Sequence, residues 1–247
     1  MIPKKIHYCW FGRNPLPESA LKCIASWRKF FPDYEIIEWN EDNFDVNSIP
    51  YTAQAYEAKK YAFVSDYARF KILYEHGGIY FDTDVEVIKP FDDILAKGPF
   101  MGYEIEPKYI GEIGHTGLVA PGLGLGVNPG LGLYAELLAL YSDLSFLNPD
   151  GSLNQKTIVR YTSELLVKKG LECKAGIQKV AGVTIYPKDF FNPLDDNTGR
   201  LRITPNTHSI HWYSKTWMNV NPLRLRLSRI AHRLFGTDLV NKIHRLF

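Results

Sequence analysis

Cysteine is scarce: Cys9, Cys23 and Cys173 are the only three in 247 residues, and no two stand in a Cys-x-x-Cys spacing. That excludes a disulfide framework and a cysteine-based zinc site, and it fits a reducing compartment. No Asn-x-Ser/Thr sequon occurs, which agrees with a cytoplasmic protein. Long apolar runs are also missing. Met1-Ile2-Pro3-Lys4-Lys5 leads into a strand-length apolar segment rather than a signal-peptide core, and no stretch approaches the ~18 apolar residues of a membrane span. Internal repeats and low-complexity tracts are absent as well.

What is present is enough hydrophobic residue, 45% of the chain with 14% aromatic, to bury a full core in one domain with long functional loops. The net charge of +2 hides an asymmetry: residues 221–247 carry +5, leaving −3 for residues 1–220. In the basic segment Leu223, Leu227, Ile230 and Leu234, then Leu239, Val240, Ile243 and Phe247, fall at helical spacing. Such a tail suits an anionic membrane surface, or packing on the domain as a helical pair. Nucleic acid is not expected, because the rest of the chain offers no basic face and no binding module.

Residues 5–12 read as a buried first strand, 18–31 as a helix and 34–39 as a second strand, the opening of a nucleotide-binding α/β fold. The longest helical pattern, 52–76, stops at Gly77-Gly78 and feeds an apolar strand, Ile79-Tyr80-Phe81, that ends in Asp82-Thr83-Asp84. On an extended backbone Asp82 and Asp84 share a side while Thr83 turns away. Converging carboxylates at the carboxyl end of a strand suit Mg2+ or Mn2+ with a diphosphate. The spacing alone is weak, since 14 Asp in this chain give roughly 0.8 such pairs by chance. The solvated strand end or turn is its bland competitor.

Further strands are expected at 84–88, 100–104 and 177–186, helices at 131–142 and 153–168, and the segment 208–212 completes the domain. Eight glycines between 111 and 132 suggest backbone pressed close to a ligand, or a flexible loop. On the 52–76 helix, Ser65, Asp66 and Arg69 share one face, which by itself reads as a surface ion pair.

Together, Trp10-Phe11-Gly12, Ser65-Asp66-xx-Arg69, Gly77-Gly78-Ile79-Tyr80-Phe81-Asp82-Thr83-Asp84, and His211-Trp212 followed by Trp217 resemble the DXD-motif glycosyltransferases. The resemblance is to glycosyltransferase family thirty-two, its bacterial capsular-polysaccharide enzymes, the related fungal initiating mannosyltransferase and, more distantly, clostridial glucosylating toxins. It covers about residues 2–104 and 205–217.

That resemblance implies a GT-A, Rossmann-like fold over residues 1–220 with a helical tail at 221–247, and a retaining transferase. It implies a UDP-sugar donor, guessed as galactose or N-acetylgalactosamine, and a Mn2+ or Mg2+ cofactor. The acceptor would be a lipid-linked oligosaccharide, reached from the inner membrane face during surface polysaccharide assembly. By the same carry-over Trp10 stacks on the base, with Phe11, Gly12, Ser65 and Thr83 around the nucleotide-sugar. Asp66 and Arg69 hold the sugar, Asp82 contacts ribose and sugar and is a possible metal ligand, and Asp84 is the principal one. His211 approaches metal or diphosphate, and Trp217 the leaving phosphate. Relatives often show His-His then Ser-Trp where this chain has His211-Trp212 and Thr216-Trp217, which leaves His208 ambiguous. Trp10, His211 and Trp217 each have an ordinary packing role as the competing reading.

Two rival functions come from the same residues. A haloacid-dehalogenase-like phosphatase also places Asp-x-Asp after an apolar strand, but here the fifth position is Glu86, and only Asp195-Asp196 imitates its later acids. A catalytically silent sugar-nucleotide or membrane-binding module is the other. A glycoside hydrolase needs carboxylates flanking the bond from different positions, which a converging pair does not supply.

Overall fold

The structure, a computed structural model, describes residues 1–110, 113–214 and 222–235. The expected βαβ unit opens it: β1 (Lys5–Cys9), α1 (Glu18–Phe30) and β2 (Glu35–Trp39), with β1 and β2 parallel from Lys5↔Glu35 to Cys9↔Trp39. The first strand is shorter than the pattern 5–12 suggests, because the chain turns at Gly12 and Arg13, both at positive φ. Helix α1 buries Ala20, Cys23, Ile24 and Trp27, one helical stripe.

The expected helix over 52–76 is two helices, α2 (Pro50–Glu57) and α3 (Tyr61–His76), separated where Lys59 takes φ +56°. Apolar spacing runs through that break, so periodicity alone does not reveal it. Helix α3 ends as expected at Gly77, whose φ of +62° favours glycine and whose N–H closes on the Leu73 carbonyl at 2.9 Å.

Then come β3 (Gly78–Tyr80), β4 (Val85–Val87), a short α4 (Asp92–Leu95), β5 (Phe100–Ile105), β6 (Lys108–Ile110), β7 (Ile113–His115), β8 (Leu118–Val119) and β9 (Leu125–Val127). Helices α5 (Gly132–Ser142) and α6 (Ile158–Lys168) follow. The strand expected at 177–186 is a hairpin, β10 (Gln178–Val180) and β11 (Val183–Tyr186), whose two loop residues Ala181 and Gly182 both have positive φ. A short α7 (Lys188–Phe191), the β12 (Leu194–Asp195) and β13 (Arg200–Leu201) pair, β14 (Ser209–His211) and α8 (Pro222–Phe235) complete the described chain.

The main sheet runs β10-β11-β5-β9-β3-β1-β2, with β8 on β5. The three strands at one end are parallel (β2-β1-β3, with β2 at the edge), and β9 enters antiparallel between β3 and β5. Alternation along the strands divides the core into two layers. Ile6, Tyr8, Ile79 and Phe100 face a cluster with Trp27, Phe91 and Phe191, whereas Cys9, Tyr80 and Met101 face one built on α3, α5 and α6. Helices therefore cover both faces, and the open crevice lies past the carboxyl ends of β1 and β3.

Candidate active site

The two carboxylates do not extend a strand. Strand β3 stops at Tyr80, and Asp82 to Val85 make a turn in which the Val85 N–H donates to the Asp82 carbonyl at 3.0 Å. Their convergence thus comes from a turn, not from strand alternation. Strand β4, which follows it, is held on both sides. Antiparallel β14 pairs His211 with Val85, while α1 supplies Trp27 Nε1–H to the Val85 carbonyl at 2.7 Å and Ser26 Oγ to the Val87 N–H at 2.9 Å. The Trp212 N–H also donates to the Asp84 carbonyl at 2.9 Å. Pairing of segments some 125 residues apart is what brings His211 to the turn.

One oxygen of Asp82, one of Asp84 and one ring nitrogen of His211 lie within 4.8 Å of one another. This donor set fits a divalent cation: two hard oxygens and an imidazole, with the His211 Nδ1 buried and without a hydrogen-bond partner among the described residues. Asp84 accepts from His211 Nε2 at 3.1 Å and from the Ser214 N–H and hydroxyl at 2.8 and 3.0 Å. Burial opposes charge on Asp84, but His211 and Ser214 outweigh it and hold the carboxyl down to about 2. Burial likewise opposes charge on His211, and Asp84 overrides it and raises the imidazole.

The Asp66–Arg69 pair is not on the surface. Arg69 is 4% exposed and bridges two acids, Asp66 Oδ1 at 3.0 Å and Asp82 Oδ1 at 3.2 Å, while its Nε donates to the Ser65 carbonyl at 3.1 Å. The guanidinium also sits 4.8 Å from the Tyr80 ring centroid, and the Tyr80 hydroxyl donates to Asp82 at 3.1 Å. The other Asp66 oxygen accepts the Ile158 N–H, at the start of α6, at 3.3 Å. Burial pushes Asp66 up to about 6 although Arg69 opposes it. One buried cation thus serves two carboxylates, and with Asp84 the crevice is short of positive charge, which suits a cation.

A cavity of about 440 Å³ joins these groups. Of the residues expected around a nucleotide-sugar, Trp10, Phe11, Ser65, Asp66, Arg69, Asp82 and Thr83 all line it. Gly12 does not. Its N–H donates to Glu41, and the Tyr61 ring stands 2.4 Å from where a side chain would begin, so Gly12 shapes the turn beneath the mouth. Trp217 lies outside the described residues. His208, ambiguous in the sequence, is structural: buried, 2.9 Å from Asp93 and stacked on Phe190.

Sequence reasoning missed several lining residues, among them Glu104, Thr157, Asp196, Tyr213 and Ser214. Tyr213 and Ser214 directly follow the His211-Trp212 segment, and that adjacency was the available signal. Gly122 does show the close approach that the glycine-rich stretch suggests. A Cβ there would stand 2.0 Å from Asp82 Oδ2, and its carbonyl accepts the Asp82 N–H at 3.2 Å.

Residues 17–101 match the family described as glycosyltransferase sugar-binding region containing DXD motif. The part of the chain that carries the carboxylates is thus similar to the DXD-containing sugar-binding region of glycosyltransferases. Inositol phosphoceramide mannosyltransferase 1 of Schizosaccharomyces pombe is 31% identical over 122 residues, 43% of this chain and 35% of its own length. An uncharacterized glycosyltransferase of Acanthamoeba polyphaga mimivirus is 35% identical over 106 residues, 40% of this chain and 42% of its own. The chain thus spans about a third of the length of the first of these curated relatives. Among solved structures, PaToxG glycosyltransferase superposes with a TM-score of 0.50 at 20% identity, covering 68% of this chain and 70% of that one. The mixed sheet covered by helices on both faces is of the GT-A type, as the resemblance implies.

Proposed function

We propose that the chain is a retaining, metal-dependent glycosyltransferase that moves a hexose from a UDP-sugar to a lipid-linked oligosaccharide in surface polysaccharide assembly. The observation that carries the reading is the Asp82–Asp84–His211 donor triangle, within 4.8 Å, beside the buried Asp66–Arg69 pair in one cavity. Asp84 and His211, with Asp82, would hold Mn2+ or Mg2+. That ion supplies Lewis-acid neutralisation of the charge developing on the leaving diphosphate.

The chain's own residues do the rest. Trp10, part-exposed at the crevice mouth with its indole N–H given to the Asn14 carbonyl at 2.6 Å, offers a flat face to the base. Arg69 fixes Asp66 and Asp82 so that their oxygens meet sugar hydroxyls and favour positive character at the ring. In the front-face path the leaving phosphate oxygen takes the acceptor's proton, and no protein base is needed. Of the two later acids the phosphatase reading calls on, Asp195 is engaged by the Thr198 N–H and hydroxyl at 2.7 and 2.8 Å, and Asp196 lines the cavity.

Galactose and N-acetylgalactosamine remain the donor sugars of this reading, and the mannosyltransferase names of fungal relatives add mannose to the panel. We place the domain at 1–220 and the tail at 221–247, peripheral on the inner face of a cell membrane. None of the described helices is long and apolar enough to cross a membrane. Helix α8 packs on the domain through Arg229 and Arg233, which contact Asp196, Thr198 and Gly199, and Leu227 and Ile230 stay exposed. Both expectations for the tail, packing and a lipid-facing side, are therefore compatible in one helix.

The test is a panel of nucleotide sugars with Mn2+, scored by release of nucleoside diphosphate. One nucleotide sugar hydrolysed slowly, with loss of the signal in chelator, is the expected result. Release from none of them sinks the reading, and phosphate release from simple monoesters favours the phosphatase. Co-sedimentation with anionic vesicles, lost on removing 222–247, tests the tail.

A further inference from the structure

The charged groups of the cavity are not equally engaged. Asp66, Asp82 and Asp84 each accept from two or more protein donors. Glu104, at the end of β5, lines the same cavity, and among the described residues its one hydrogen bond is a long one, 3.3 Å, from the Tyr213 hydroxyl. A half-buried carboxylate that a bound substrate will cover must find hydrogen-bond donors there, or its desolvation weakens that binding.

What holds Glu104 is unusual. Tyr213 has φ +51°, a left-handed conformation that a bulky residue adopts only when its surroundings impose it. Its ring packs edge-on against His211 with centroids 4.2 Å apart, and its hydroxyl accepts from Asn192 Nδ2 at 2.6 Å while donating to Glu104. Asn192 is fully buried. The backbone strain is thus spent on aiming one hydroxyl at one carboxylate, on the His211 side of the metal triangle. Arg69, by contrast, stands on its Asp82 side.

The chemistry of the expected ligands narrows what Glu104 meets. A diphosphate is repelled by a carboxylate, and Glu104 is outside the donor triangle of the cation. Neutral hydroxyls remain. We propose that Glu104, positioned by Tyr213, binds a hydroxyl of the acceptor sugar adjacent to the one that reacts, making this wall the acceptor subsite. This rests on the glycosyltransferase reading above. In the transfer, the acceptor oxygen bonds to the anomeric carbon as that carbon's bond to the terminal phosphate oxygen breaks. The electron pair leaves on the phosphate oxygen, which takes the acceptor's proton, and Glu104 only accepts a hydrogen bond from the neighbouring hydroxyl.

The experiment compares wild type, Glu104→Gln and Tyr213→Phe in the full chain with the nucleotide sugar found by the panel. Three quantities are read: nucleoside diphosphate release to water, glycoside formed with methyl galactoside, methyl glucoside and methyl mannoside, and Mn2+ affinity by electron paramagnetic resonance. We expect Glu104→Gln to lower transfer kcat/KM by roughly 10–100-fold, with release to water and Mn2+ affinity within about twofold of wild type. Tyr213→Phe, a positioning change, raises the glycoside KM by a few-fold with kcat nearly kept, and it stands in if the Gln variant does not fold by circular dichroism. Equal loss of hydrolysis and transfer overturns the proposal, as does weakened Mn2+ binding in Glu104→Gln. So does a wild type that hydrolyses its donor but uses none of the three glycosides. A wild type that releases nothing from any nucleotide sugar overturns instead the reading beneath.

Discussion

The two walls of the cavity are built differently. The wall around Arg69 is rigid and closed: a helix, a strand end and the start of α6 meet through a guanidinium that is 4% exposed, and nearly every oxygen already has a partner. The wall around Glu104 is assembled from a strand end, a strained tyrosine and the β12–β13 turn, and among the described residues Glu104 accepts a single long hydrogen bond. Groups that must recognise one fixed donor benefit from being preorganised, since their orientation is settled before binding. Groups that meet an acceptor are free to differ from protein to protein, and loops that lend one or two side chains suit that task.

The largest expected effect separates the metal triangle from both walls. Asp84→Asn should lower kcat for donor hydrolysis on the order of 10³-fold and abolish tight Mn2+ binding, with the fold intact by circular dichroism. Activity within tenfold of wild type at saturating Mn2+ would remove Asp84 from the site.

Next comes the buried cation. Arg69→Met leaves Asp66 and Asp82 facing each other without a counter-charge, at a cost of about 3–5 kcal/mol. Urea unfolding should show it, whereas Glu104→Gln should shift the midpoint little. If both variants are equally stable, the contrast between a closed and an open wall is wrong.

The donor wall also has a pH signature from beneath. His7 lies fully buried on β1, with Nε2 3.0 Å from the Gly77 carbonyl and Nδ1 3.0 Å from the Trp39 indole N–H. Since the indole donates to Nδ1, Nε2 carries the proton and donates to the Gly77 carbonyl, just before β3 and the Asp82–Val85 turn. Burial lowers this histidine from 6.5 to about 4. Below pH 6.5 the unfolded chain takes up a proton that the folded chain refuses, so stability is full above 6.5 and falls as pH drops towards 4. The loss is about 3 kcal/mol at most. His7→Gln, which keeps one donor and one acceptor, should flatten that limb in urea titrations between pH 7 and 4. An unchanged slope would assign the acid sensitivity elsewhere.

The sequence displayed one wall and hid the other, for physical reasons. Ser65, Asp66 and Arg69 sit on one helix, and Asp82 and Asp84 on one turn, so short spacings carry them. Asp82 and Asp84 are neighbours through a tight turn rather than strand alternation, and both conformations bring residues i and i+2 together. Glu104, Asp196 and Tyr213 belong to three segments with no shared spacing, and only folding joins them. The α2–α3 break was silent, as Lys59 carries none of the usual marks of a left-handed residue. The β10–β11 turn was not silent, since Gly182 stood in the middle of an otherwise continuous strand pattern.

The smallest expected effect probes whether the acceptor wall depends on helix α8. Arg229 reaches Asp196 through Nη2 at 3.3 Å and the Asp196 carbonyl through Nε at 3.2 Å, and Asp196 lines the cavity. Both side chains are about a quarter exposed, so the pair is worth no more than about 1 kcal/mol. Arg229→Ala should therefore leave the melting temperature nearly unchanged and donor hydrolysis untouched, while the glycoside KM rises by a few-fold as Asp196 loses one of its contacts. A fall in donor hydrolysis as large as the fall in transfer would mean that the helix supports the whole crevice and that the two walls are one unit. Because the contacts of Arg229 among the described residues are with Asp196 and none is on the Arg69 side, the independent outcome is the one they support.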